Sequence, residues 1–384
     1  MKCLLPILLL PALGHADSFD ELFKLPVLYK NPDSRFLREF SLAANVQWQW
    51  ANGDSDHGNF GTRDRPDEVT WSDDIEVRRM ELGFRALFGD SWKFQSKIDA
   101  NPTGELDSTA DQSLGHGFYR DLHDISLTYS HSPALNLGIG KVTSKFFTYE
   151  NSTSSSEIIV FERSLLVETL IPKDLTGIWI NGAKNHWLYG FALYAGDYQQ
   201  ELPEFDAGFV TQTSIGYDFS KCLGYDKAIV KFDHQYGSSA ENSNGAGKFE
   251  HGFSLNALFQ QGPFTLYTDL LGGLGREGQG DAIGITLTPS YHLTEDLELI
   301  FRYQHANASD DGLQLLSRYE RLAPDLTDGG HGDRYDAAYL GLNYYLHGHK
   351  LKLMAGAEYN HMHGGADGGS YEGVTSLAGV RLAF

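Results

Sequence analysis

The feature that most constrains this chain is a repeated alternation. Apolar and polar side chains take turns along short runs, and the runs are separated by turn-forming residues. Sixteen such runs can be counted, from residues 36–51 to residues 372–384. In the first, Phe40, Leu42, Ala44, Val46, Trp48 and Trp50 share one face, and Ser41, Asn45, Gln47 and Gln49 share the other. Side chains alternate across a strand, so this is a ribbon with one apolar and one polar surface. The second run sets Met80, Leu82, Phe84, Ala86 and Phe88 against Arg79, Glu81, Gly83 and Arg85. The links between runs alternate as well. Short ones such as Gly89–Ser91, Gly262 and His347–Gly348 are interleaved with long ones such as 52–73, 101–119 and 307–332. An even number of amphipathic strands with short turns at one end and long loops at the other specifies a transmembrane antiparallel β-barrel. In lipid every backbone donor and acceptor needs a partner, so the last strand must pair with the first. A barrel of about this strand number encloses water.

Composition fits that class and excludes others. No mature run reaches the roughly 18 apolar residues of a spanning helix, and mean hydropathy is low at −0.33. A barrel hides its apolar content in every second position. The net charge of −21 is not that of a nucleic-acid binder, so no nucleic-acid partner is expected. Met1 and Lys2, the apolar stretch from Cys3 to Leu13 and the small-residue site Gly14-His15-Ala16 read as a signal peptide over 1–16. Residues 17–35 would form a periplasmic extension and 36–384 the barrel. Loss of the signal leaves Cys222 alone, so no disulfide within the mature chain is possible. A final strand ending in Phe384 resembles an outer-membrane assembly signal.

One link breaks the pattern. Residues 143–174, with flanking Lys141, are rich in Ser and Thr and carry charge, yet include Phe146, Phe147, Ile158, Ile159, Val160, Phe161, Leu165 and Leu166. That much apolar material predicts an ordered insert that folds inward and narrows the pore. A structureless loop of this length would be uncommon.

Strand parity places Arg79, Arg85, Lys93, Lys97, Lys231, Arg302, Lys350, Lys352 and Arg381 on the inner wall, with acidic Glu81, Asp99, Asp124, Asp233, Asp269, Glu298 and Glu358 among them. Lys145 belongs to the insert. Rings of basic side chains favour anions. Opposite charges can also simply pair across strands. His361-Met-His363 could aim two imidazoles together, but no third ligand is fixed in sequence, and neither a metal nor a cofactor is expected. No nucleophile with a local catalytic signature is present, so the chain does not read as an enzyme.

The Arg78-Arg79 pair with Leu82 and Phe84, Trp92-Lys93-Phe94, Gly140-Lys141, Thr153-Ser154-Ser155, Phe161-Glu162-Arg163-Ser164 and Pro172…Gly177 together resemble the phosphate-selective porin O and P family. The resemblance implies a sixteen-stranded homotrimer in the outer membrane, a constriction loop after the fifth strand, and passage of small hydrophilic anions such as phosphate. It also implies structural or pore-lining roles for Arg79, Lys141 and Arg163. Lys141 has lipid-facing parity, so it must lie beyond a strand end or after a register slip. The acidic balance leaves a general or cation-preferring porin open, as well as a structural or adhesive barrel without transport.

Overall fold

A computed structural model describes residues 21–58, 74–100, 118–172, 174–196, 201–203, 205–206, 208–238, 248–276, 278–310, 312–314, 331–363 and 370–384. The signal-peptide reading of residues 1–16 lies outside them.

Sixteen antiparallel strands form the wall: β1 (Leu37–Gly58), β2 (Asp74–Phe88), β3 (Trp92–Ala100), β4 (Tyr119–Ser132), β5 (Leu135–Val142), β6 (Leu175–Lys184), β7 (Trp187–Ala195), β8 (Phe209–Asp218), β9 (Lys227–Gly237), β10 (Phe249–Gln261), β11 (Phe264–Gly275), β12 (Ala282–His292), β13 (Leu297–Ala308), β14 (Arg334–His347), β15 (Leu351–His363) and β16 (Ser370–Ala383). Each pairs with its neighbours in sequence, and β16 closes on β1 from Ala383 opposite Asn45 to Tyr371 opposite Gly58. No wall strand is left with an open edge, as a lipid setting demands. A short strand, Val27–Lys30, pairs with Glu39–Ser41 of β1 beside the end of β16, where the Ala44 amide donates to the carbonyl of Phe384 at 2.9 Å. Phe23 stacks on His347 with ring centroids 4.6 Å apart, which fixes this N-terminal segment at the short-turn end.

The two faces of the wall differ as alternation predicts. Leu42, Trp48, Ile139, Ile178, Ile215, Phe232, Leu255, Ile283, Phe301, Leu340, Leu342 and Val374 are exposed. So wide an apolar exterior has no place in water and fits a lipid-facing band. Ser41, Asn45, Gln47, Gln49, Gln212, Asp233, Asn256, Asp269, Gln304 and Asn343 are buried on the other face. Tight turns suit their positions: Gly89, Gly262 and Gly348 take φ of 51°, 55° and 52°, where a Cβ would be strained.

The hydrophobic core lies inside the barrel. Phe147, Leu165, Leu166, Val167, Leu170 and Ile171 of the insert pack with Phe249, Leu271, Tyr335 and Met362 of the wall. Ile159, Val160 and Phe161 pack with Ile300, Tyr339, Met354 and Leu377. The insert leaves the wall after Val142, forms helices α1 (Tyr149–Ser152) and α2 (Leu165–Leu170), and rejoins it at Leu175. It is folded inward, against the polar face.

Candidate functional site

The insert runs around much of the inner wall, and the wall is shaped to seat it. Gly190 on β7 faces the ring of Phe146, and a Cβ there would lie 2.8 Å from it. Gly252 on β10 stands in the same relation to Phe147. The missing side chains make room for two phenyl rings. Outside its short helices, and at their first amides, the insert has backbone groups with no partner within its own segment, and buried ones must find other partners. Wall side chains supply them. Gln212 accepts from the Phe146 amide at 3.4 Å, Asp269 from the Tyr149 amide at 3.2 Å and Gln304 from the Leu165 amide at 2.9 Å. Asn343 donates to the Ile159 carbonyl at 2.9 Å, and Lys352 to that of Ile158 at 2.7 Å. Arg381 on β16 donates to four carbonyls, those of Ser155 (3.3 Å), Ile158 (3.1 Å), Val160 (3.1 Å) and Phe161 (2.7 Å).

Glu162 is the electrostatic centre of this seat. Arg78 donates to it through Nε at 2.6 Å and Nη2 at 2.9 Å, the fork geometry that suits a carboxylate. Arg79 Nη2 lies 3.5 Å away, and Gln49 donates at 3.4 Å. Burial alone would raise the Glu162 carboxyl, but Arg78 and Arg79 outweigh it and hold the group well below the usual carboxylate range. Arg302 donates to the Glu162 carbonyl at 2.6 Å and to Glu358 at 2.6 Å, with Glu150 at 3.6 Å. Arg163 turns back on its own segment, donating to the carbonyls of Glu150 (3.1 Å) and Thr153 (2.9 Å).

The inner wall of β2–β5 is different. It carries Arg85, Lys93, Gln95, Lys97, Asp124 and Ser126, and the insert presents Lys145 toward it. Lys93 and Lys145 are exposed, and among the described residues neither forms a salt bridge. Lys145 lies over the Trp179 ring at 5.5 Å. Lys97 pairs with Glu81 at 2.8 Å, and Arg85 with Glu39 at 3.0 Å. Asp124, the acid among these lysines, accepts from Gln95 and Ser126 at 3.1 Å each.

The residues singled out by sequence therefore divide. Arg79, Arg302, Lys352 and Arg381 stand on the polar face but lie beneath the insert and hold it; the last three are at most 2% exposed. Arg163 holds the insert from within. Lys141 is buried with its ammonium 3.6 Å from Asp121, although Leu137 and Ile139, of the same parity, face outward. Gly140, at φ 140°, lies between them. Arg85, Lys93, Lys97 and Lys145 gather at the inner wall of β2–β4.

Strict parity missed Arg78 and His123. Gln47 pairs with Arg79 while Trp48 pairs with Val77, so Arg78 is the extra residue of a β-bulge and shares the inner face with Arg79. Lys97 pairs with Asp124 while Ile98 pairs with Leu122, which turns His123 inward in the same way. Tyr345 is buried and bonds inward to Glu298 beside a register shift, while Tyr344 takes the outer face.

A closed sixteen-stranded barrel with an apolar exterior, a polar interior and an inward-folded loop after the fifth strand is the architecture of an outer-membrane diffusion channel. Residues 46–225 match the model of the family described as phosphate-selective porin O and P, so the resemblance read from the motifs holds over that span. No curated protein matches the chain by sequence. Among solved structures, the outer membrane channel DcaP of Acinetobacter baumannii is 14% identical at a TM-score of 0.58, covering 93% of this chain and 99% of that one. OprB of Pseudomonas putida is 10% identical at 0.58, covering 90% and 94%. The anion-selective porin from Comamonas acidovorans is 12% identical at 0.57, covering 90% and 99%. Identities this low establish the shared fold and no more.

Proposed function

We propose that this porin passes small hydrophilic anions, phosphate among them, and that Lys93, Lys97 and Lys145 set the preference, with Arg85 beside them. The observation that carries the reading is the pair of exposed ammonium groups of Lys93 and Lys145, which form no salt bridge among the described residues. Fixed positive charge in a narrow, partly dehydrated passage lowers the barrier for anions and raises it for cations. The name anion-selective porin borne by one structural relative, and the phosphate-selective description of the matching family, agree with it. In this reading residues 1–16 are a cleaved signal peptide, 17–35 a periplasmic extension and 143–174 the constriction. The chain works as a homotrimer embedded in outer-membrane lipid; one relative's structure is described as a trimer form.

The net charge of −21 favours a competing reading, a cation-preferring pore whose acidic loops concentrate cations at the mouth. Reversal potentials in a KCl gradient across a planar bilayer separate the two. Anion preference is expected; cation preference overturns the proposal, and absence of conductance overturns transport altogether.

A further inference from the structure

Where β2, β3 and β4 run side by side, three side chains converge that the channel reading leaves unused. Glu81 faces Asp99 across the β2–β3 pairing, and His123 reaches both from β4. The imidazole Nε2 lies 3.9 Å from Glu81 Oε2, and Nδ1 lies 3.6 Å from Asp99 Oδ2. One donor atom from each residue can be chosen so that all three lie within 4.8 Å of one another. Glu81 is 1% exposed, and its other oxygen is fixed by Asn45 Nδ2 at 3.0 Å and by Ser155 Oγ of the insert at 3.2 Å. His123 would face lipid in an unbroken strand; the bulge in β4 brings it inward, onto the two carboxylates. Bulges recur where a side chain must be re-aimed.

We infer that Glu81, Asp99 and His123 form a binding site for a divalent transition-metal ion such as zinc on the inner wall beside the constriction. One imidazole and two carboxylates are a borderline donor set that suits zinc better than calcium or magnesium. The donors need to close by only about 1 Å around the ion. The remaining position is open to water or to a passing anion. Lys97 Nζ lies 2.8 Å from Glu81 Oε2, the oxygen the ion would take. Binding therefore displaces the Lys97 ammonium from that oxygen. The ion adds positive charge at the constriction and frees a second one.

The inference is tested on the full-length purified protein in detergent, with zinc chloride alone as the probe. Calorimetric titration is expected to show one site per chain that weakens at least ten-fold in His123→Ala and in Asp99→Asn. The site is expected to persist in the double variant His361→Ala/His363→Ala, which removes the histidine pair on β15. Heat-modifiable gel migration verifies that each barrel is folded. Absence of binding to the wild type, or a site that survives His123→Ala, overturns the inference. In bilayers, zinc is expected to shift the reversal potential of the wild type toward anions and to leave His123→Ala unmoved. Calorimetry needs no conductance, so a metal-binding channel that prefers cations would sink the anion reading and leave this one standing.

Discussion

Replacing Glu162 with Gln tests the anchoring directly, because it removes one charge while keeping shape. In the native protein the carboxylate accepts two bonds from Arg78 and lies 3.5 Å from Arg79, with its side chain 20% exposed. Breaking one partner out of a buried ion pair costs about 3–5 kcal/mol. Residual contact with water argues for the lower end, about 3 kcal/mol, which is roughly a hundred-fold in the balance between seated and lifted insert. The insert does not detach, because Arg381, Lys352 and Asn343 still hold its carbonyls. Two effects are expected together in single-channel recordings of Glu162→Gln. Conductance becomes larger and noisier, and the reversal potential moves toward anions, since Arg78 and Arg79 lose their counter-charge. Folded Glu162→Gln protein whose traces match wild type in both respects would refute the argument that this carboxylate secures the insert.

Acid should reach the same group. Its folded-state affinity for protons is depressed, so the stabilisation is complete above the ordinary glutamate range near ~4.3 and is lost as pH falls below it. Conductance is expected to stay flat from neutral pH down to about 5 and to rise on further acidification, with Glu162→Gln showing no such step; this follows from recordings at a series of pH values. Charge reversal at Lys93 and Lys145, Lys93→Glu with Lys145→Glu, is expected to move the reversal potential toward cations, and an unchanged reversal potential would put both off the conduction path. Gly252→Val sets a side chain against Phe147, where even a Cβ would lie 2.8 Å from the ring; overpacking of about 1–3 kcal/mol should lower the thermal transition, read by loss of heat-modifiable migration.

The barrel was legible because period-two alternation is a physical necessity for a wall with oil on one side and water on the other. Phe40 through Trp50 and the links at Gly89, Gly262 and Gly348 carry that signal plainly. Order in the insert was legible from Phe146, Phe147 and Ile158–Phe161, since so many apolar groups could not remain in water. Two things were not. Parity counts residues, and a bulge adds one, so Arg78 and His123 sit on the side that counting denies them. Nor does alternation say what covers the inner face. Arg302, Lys352 and Arg381 look identical to Lys93 in pattern, yet three lie under the insert and one meets solvent. That distinction depends on the path of some thirty residues through the lumen, fixed by contacts far apart in the chain, such as Arg381 with Ser155.

The place of Arg381 also bears on assembly. It belongs to the sixteenth strand, whose pairing with the first completes the cylinder, and its guanidinium grips the carbonyls of residues 155–161. Circularising the sheet thus also completes the seat of the insert, adding to the holds that Asn343 and Lys352 supply from the strands before it. A nascent wall still lacking that stave would carry the insert more loosely than the finished ring does.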